Sequence, residues 1–445
     1  MMRTLAAVLL VALFPLPLVA QPPPIRLTLA DAIARGFDTS HRLAEARARE
    51  QGALAAVRGA HLADRPIVTA SAGYLRTNHV TEFAFGQGSA RTVVYPDIPD
   101  NVVSRVSFQW PIYTSGRVDA HERAATAEAQ AVGADIETTR ADLRLEIVRA
   151  YWAAATAREA VRVLEESTVR ADAQLRDARQ RFAVGLVPPN EVSSLEAQRS
   201  REQAQLIEAS NIRESTVVDL RRLIGADPET VIELADSLDA PDAPDAPDAP
   251  AAPAAPALIQ EALNQRPERK ALTLRLGGVE ARQQAAMTAN KPTVAVGAGV
   301  DYANPNSRIF PRKGEWQESW DVSVNVSWAF FDFGRAKAQV AEAAAVATAT
   351  RERIAEFDSV VAADLRQRLL DLDSSLAVVK AASDAVRSAA EARRVVGDRF
   401  AAGVATSTDV VVAQVAMLEA GLARTRSLAG VRLAEARLHR SLGRP

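Results

Sequence analysis

The chain repeats itself. A block from about Leu27 to Gly225 returns, recoded but in step, from about Leu258 to Gly443. Trp110, Gly116, Arg117, Arg181, Phe182, Gly185, Val192 and Gly225 recur 218 residues later as Trp328, Gly334, Arg335, Arg399, Phe400, Gly403, Val410 and Gly443. Each copy combines two short alternating segments with very long helical stretches. That pairing is foreign to an ordinary soluble enzyme, and whatever one copy builds the other must build again.

The helical part comes first. Leu29-Ala30-Asp31-Ala32-Ile33 and Leu258-Ile259-Gln260-Glu261-Ala262 open amphipathic helices running to about Leu62 and Met287. Arg65-Pro66 and Lys291-Pro292 end them and begin extended segments. After the alternating segments, Thr114-Ser115-Gly116-Arg117 and Asp332-Phe333-Gly334-Arg335 turn the chain back into helix, with Thr114, Ser115 and Asp332 as candidate caps. No proline then occurs for 67 residues, from Gly116 to Phe182 and from Gly334 to Phe400. At 1.5 Å per residue each helix is expected to reach about 100 Å. Glycine turns at Gly185 and Gly403 send return helices over about 190–223 and 408–442. Helices of that length must pack laterally on others like them.

In the extended segments the period changes to two. Val322, Val324, Val326, Trp328 and Phe330 point one way, while Asp321, Ser323, Asn325, Ser327 and Ala329 point the other. Val106, Phe108, Trp110 and Ile112 oppose Arg105, Ser107 and Gln109 in the same fashion. Strands are expected over about 66–78, 102–112, 292–302 and 320–331, joined by polar loops at about 77–101 and 303–319. Gly297 and Gly299 within the third strand suit backbone curvature better than ligand binding. Such strands match a transmembrane β-barrel, and strand by strand they equally match a half-buried sheet in a sandwich.

The N-terminus bears on that choice. Arg3, the apolar run Leu5–Leu18 and Ala20 read as a secretory signal peptide over 1–20, with two prolines interrupting any membrane helix. The first repeat is then expected over 21–237, an Asp-Ala-Pro tether over 238–256 and the second repeat over 257–445. With no cysteine, disulfides, thiolate metal sites and thiol catalysis are excluded. A formal charge of -2 gives nucleic acid no electrostatic footing. The five histidines are scattered without ligand spacing, and Gly277-Gly278 fits no nucleotide fingerprint, so neither a catalytic nor a metal or cofactor constellation emerges. Four strands cannot close a barrel, and an open edge in lipid is not viable. Two chains sharing a barrel would give eight strands, three would give twelve.

With these residues in view, the chain resembles the TolC-type outer-membrane efflux protein family. The residues that carry the likeness are Leu27-Thr28-Leu29-Ala30-Asp31-Ala32, the Phe-Asp-x-Gly-Arg turn and the Arg-Phe-Ala-x-Gly tips. The resemblance implies an α+β membrane protein of duplicated helical hairpins and strands. Three chains would form a twelve-stranded barrel in the Gram-negative outer membrane, continuing into a twelve-helix periplasmic barrel. It implies a homotrimer working with a periplasmic adaptor and an inner-membrane pump, as a passive duct of efflux or type I secretion with no enzymatic activity. Val184, Gly185, Leu186, Ala402, Gly403 and Val404 match the adaptor-contacting tips, where glycine also simply permits the turn. Asp409 and Glu191 match carboxylates of the periplasmic gate. Three copies of Asp409 would ring the mouth and favour cations, although a carboxylate there also suits a helix N-terminus. Val412 stands where the family has a second gate aspartate, and Phe400 and Ala405 replace its tyrosine and arginine. The closed mouth is therefore expected to rest on apolar contacts. The competing reading is a wholly periplasmic helical-hairpin structural or adaptor protein with a soluble β domain.

Overall fold

The structure is a computed structural model that describes residues 25–238 and 255–444. The expected signal peptide and nearly all of the Asp-Ala-Pro tether lie outside these residues. In chain order come β1 (Ile25–Leu27), α1 (Leu29–Thr39), α2 (His41–His61), β2 (Ile67–Arg76), β3 (Phe83–Phe85), β4 (Thr92–Tyr95), β5 (Asp100–Tyr113), α3 (Arg117–Ala183) and α4 (Pro189–Leu223). Then follow β6 (Ile232–Leu234), α5 (Ala255–Gln265), α6 (Pro267–Met287), β7 (Thr293–Asn304), β8 (Gln317–Ser327), α7 (Arg335–Ala401) and α8 (Ser407–Leu442). Both α3 and α7 run 67 residues.

The chain divides into two compact units, each drawing segments from both copies of the repeat. Among the described residues one unit comprises 25–40, 143–238 and 373–436; the other comprises 41–142, 255–372 and 437–444.

The second unit holds the four long strands β2, β5, β7 and β8. They form one antiparallel sheet in the order β2-β5-β7-β8. Its edges, β2 and β8, have no partner among the described residues. Among the helices of this unit Leu258, Ala262, Val361, Leu365 and Leu442 form a buried cluster, and Ala131, Ala134 and Ala271 form a small-residue contact that lets helices approach closely. Arginines tie the helices across: Arg269 to Asp358 at 2.7 Å, Arg351 to Glu280 at 2.6 Å, and Arg440 to both Asp142 at 2.7 Å and Glu268 at 2.5 Å.

In the first unit β1 and β6 pair in parallel, Ile25 opposite Ile232 and Leu27 opposite Leu234. The hydroxyl of Tyr151, fully buried, has one proton to share between the Leu27 carbonyl at 3.1 Å and the Asp236 carboxylate at 2.9 Å. Burial pushes that phenol up to about 12, because its anion would lose hydration. Farther along, Leu175 and Ala178 of α3, Leu195 of α4 and Val411 of α8 pack together.

Several expectations need correction. The opening helices are not continuous. The first breaks at Ser40, and its counterpart breaks at Arg266, where Pro267 takes the first helical position and cannot continue the preceding turn. Both breaks sit against a helix end. A Cβ on Gly225 would come within 2.6 Å of Thr39, and one on Gly443 within 2.9 Å of Arg266. The last strand stops at Ser327, four residues short, and leaves Trp328 and Phe330 beyond the ladder. The loop expected over 77–101 carries the small β3-β4 hairpin. Asp332 caps α7 through the Gly334 and Ala336 amides at 3.0 and 2.7 Å. Ser115 caps nothing: its hydroxyl donates to the Pro292 carbonyl at 2.6 Å. The β1-β6 pair had no signal of its own, since three-residue strands lack a readable period.

Candidate functional site

Two regions hold the residues singled out from sequence, and each lies within one unit. In the sheet, the register places Arg105 opposite Asp301 and Gly299 opposite Asp321. The Arg105 guanidinium donates to Asp301 and to Asp321, both at 2.8 Å. To reach β8 it passes over Gly299, where a Cβ would lie 2.4 Å from Nη2. Gly299 is therefore the floor under an arginine bridge across three strands, a more specific role than the curvature expected of it. Ser107, Gln109 and Ser323 share this polar face.

At one end the loops bend over the polar face. Arg312 donates to the Tyr95 hydroxyl at 2.8 Å and to Asn101 at 3.2 Å, and its guanidinium stacks on the Tyr95 ring. A recess of about 800 Å³ lies between, lined in part by Asn101, Arg105, Asp301 and Arg312. The opposite face is apolar and uncovered: Val68, Val106, Trp110, Val300, Val322 and Val324 are all exposed. Aromatics flank it, with Tyr74, Tyr302 and Trp320 towards one end and Trp110, Trp328 and Phe330 towards the other. Trp110 and Trp328 donate their indole N–H groups to the carbonyls of Asp64 and Asn290, each at 2.9 Å, so the two copies anchor the same tryptophan in the same way.

The second region is the pair of helix tips. Both end in the same cap: Leu186 donates to the Arg181 carbonyl and Gly185 to that of Phe182, while Val404 donates to Arg399 and Gly403 to Phe400, all at 2.9–3.0 Å. This is the Schellman arrangement, which needs a left-handed residue, and Gly185 and Gly403 supply φ values of 77° and 74°. Glycine thus permits the turn, as expected. The turn in turn thrusts Val184, Leu186 and Val404 outward, 69%, 74% and 65% exposed, with Ala402 beside them also exposed.

The gate candidates sit just past these caps. Asp409 accepts from the Thr406 amide at 2.9 Å and its hydroxyl at 2.8 Å, while its own amide donates back to Thr406 at 3.3 Å. That is a capping box starting α8. The Thr406 amide and hydroxyl together hold the Asp409 carboxyl below the usual carboxylate range. The carboxylate nonetheless remains exposed, and Val412, one turn on, is exposed on the same face. Glu191 lies in the first turn of α4, partly exposed, where the helix dipole favours it.

Phe400 meets a cation within its own chain. The Arg181 guanidinium lies over its ring, 5.1 Å from the centroid, and is itself held by Asp177 at 2.9 Å. Neither Arg181 nor Thr406 emerged from sequence as a partner. The Arg-Phe pair was visible at both tips, but nothing in a helical period says that one tip's arginine reaches the other tip's phenylalanine.

Among the described residues no cluster of three or more His, Asp or Glu is placed to hold a metal ion. His61 and His79 each meet a single carboxylate, Glu122 at 3.1 Å and Asp97 at 2.7 Å, contacts that their sequence neighbours do not announce. No described helix is long and apolar enough to cross a membrane.

Comparison with known proteins bears on both regions. The family model of outer membrane efflux proteins matches residues 37–226 and again 258–444. Protein CyaE of Bordetella pertussis is 29% identical over 321 residues, covering 70% of this chain and 62% of that protein. Outer membrane protein TolC of Vibrio cholerae is 24% identical over 292 residues, 64% of each. The chain thus spans somewhat under two thirds of the length of these curated relatives. Among solved structures, the outer membrane protein VceC of Vibrio cholerae superposes with a TM-score of 0.74 at 19% identity, covering 93% of this chain and 96% of that one. At that identity the likeness speaks for the fold.

Proposed function

Because the chain belongs to the outer membrane efflux protein family, whose members sit in the Gram-negative outer membrane with their helices in the periplasm, we propose that it is an outer-membrane exit channel. The observation that carries this reading is the sheet: four strands, both edges unpaired, one face apolar and bare, the other polar. The ten steps from Val102 to Ile112 along β5 extend about 34 Å. At a strand tilt of about 40° that spans about 26 Å, matching the apolar band of about 25 Å in membrane barrels. In water such a face would be a standing aggregation hazard; in lipid it is the outer wall. Unpaired edges in lipid are not tolerated, so copies must close the barrel. Three give twelve strands, with the Arg105 bridge facing a lumen.

On this reading the helical part is a periplasmic conduit. The exposed Val184, Leu186 and Val404 at the tips are contacts for a periplasmic adaptor, through which an inner-membrane pump drives the cargo. Asp409, Glu191, Phe400 and Val412 line or brace the closed mouth. The duct itself is passive. A wholly periplasmic protein would have no use for the bare apolar face with aromatics at either end.

The test is direct. Purified from outer membranes, the full chain should run as a heat-sensitive trimer and give discrete conductance steps in planar bilayers. Recovery as a soluble periplasmic monomer would end the proposal.

A further inference from the structure

The Arg181–Phe400 contact links the tip of the first copy to the tip of the second within one chain. Both tips carry Arg-Phe-Ala-x-Gly, offset by 218 residues, so Arg399 and Phe182 are the counterparts of the two partners. The caps that orient them are alike, with the same two hydrogen bonds and the same left-handed glycine. Within one chain this second pair does not meet in the way the first does: Phe182 stays 46% exposed and Arg399 is exposed. We propose that Arg399 of one copy stacks on Phe182 of the next, so that the closed mouth is tied by alternating contacts within and between chains.

The argument is one of quasi-equivalence and rests on the trimeric reading above. In a closed ring of alternating tips, the step from first tip to second lies inside a chain, and the step from second tip to the next first tip crosses between chains. A contact made by residues present on both tips at the first step has its partners waiting at the second. The occupant is therefore a second copy of this chain, and the chemistry is complementary: an exposed guanidinium facing an exposed ring. The two steps differ in one respect. Asp177 steadies Arg181 from one turn before it, whereas the equivalent position before Arg399 is Val395 and the carboxylate whose charge Arg399 feels is Asp409, beyond the turn.

The chain has no cysteine, which makes cross-linking clean. Two variants of the full-length protein would be purified from outer membranes and treated with a short bis-thiol reagent. Phe182→Cys with Arg399→Cys should yield covalent dimers and trimers on a denaturing gel. Phe400→Cys with Arg181→Cys should yield only internally linked monomers. In a preparation that native mass spectrometry shows to be trimeric, a first pair that links within monomers or not at all overturns the inference and leaves the channel reading intact. A wild-type chain that is not trimeric instead refutes the channel reading, and the contact falls with it. As a second readout, Phe182→Leu should raise closed-state conductance about two- to five-fold, the effect of one exposed cation–ring contact, while Phe182→Tyr should not. Identical conductance for Phe182→Leu and wild type would count against the contact.

Discussion

Replacing Gly299 by alanine tests whether the arginine bridge is what this position exists for. The added methyl would stand 2.4 Å from Arg105 Nη2 and 2.8 Å from Cζ. The long side chain can swing clear at little steric cost, but only by leaving Asp301 and Asp321. Two charge-assisted hydrogen bonds are worth about 1.5–3 kcal/mol each when shielded. The Arg105 side chain is 38% exposed, so solvent screening takes away much of that from the pair. Alanine in a strand recovers about 0.5–1 kcal/mol over glycine, so a net loss of stability appears only if the bridge outweighs that gain. Equilibrium unfolding in detergent would measure it, within a double-mutant cycle. Against an Arg105→Ala background, Gly299→Ala should become neutral or mildly stabilising, because nothing remains for the methyl to displace. Gly73→Ala on the edge strand β2, where a Cβ meets nothing within 4 Å, should be harmless in either background. If Gly299→Ala costs the same with Arg105 absent, backbone shape and not the bridge explains the glycine.

Other consequences are simpler to check. Asp409→Ala should shift ion selectivity in bilayer conductance away from cations, and unchanged selectivity would remove the residue from the mouth. Its lowered carboxyl pKa also has a sign: the stabilisation is present above the ordinary value near 4 and is lost as pH falls through the folded value, so Asp409→Asn should flatten the acid limb of a stability profile. Tyr151, raised to about 12, contributes stability that is intact below pH 10 and lost as pH rises through the folded value; Tyr151→Phe should remove that alkaline loss while costing about 1–2 kcal/mol at neutral pH. Arg440→Ala should cost about 3 kcal/mol, since it strands Glu268 and removes the tie to Asp142, measured by unfolding in detergent. Val184→Asp with Leu186→Asp should abolish adaptor-dependent export in cells while leaving conductance in bilayers unchanged.

Much of the architecture was legible because it rests on periodicity and on chain breakers. The long helices announced themselves by the absence of proline, the tips by glycine after Arg-Phe-Ala, and the strand faces by strict alternation in Val322, Val324 and Val326 against Asp321, Ser323 and Asn325. What escaped were contacts between residues far apart in the chain. The helix break at Arg266 was written locally in Pro267, but the break at Ser40, beside which Gly225 docks on Thr39, has no such breaker to announce it. Gly299 looked like any strand glycine until Arg105 was seen above it. Asp409 is the instructive intermediate case. Thr406, three residues before it, is the local signal of a capping box, whereas a place at a mouth depends on neighbours far away in the chain.

The parallel pairing of β1 with β6 means that the segment from Ile25 to Leu234 departs from and returns to one spot. A stretch whose ends already meet can be duplicated in tandem without rerouting either copy, because the junction asks for no particular distance to be spanned. A spacer inserted there is correspondingly free to drift in length and composition, which is the licence a run of Asp-Ala-Pro triplets requires.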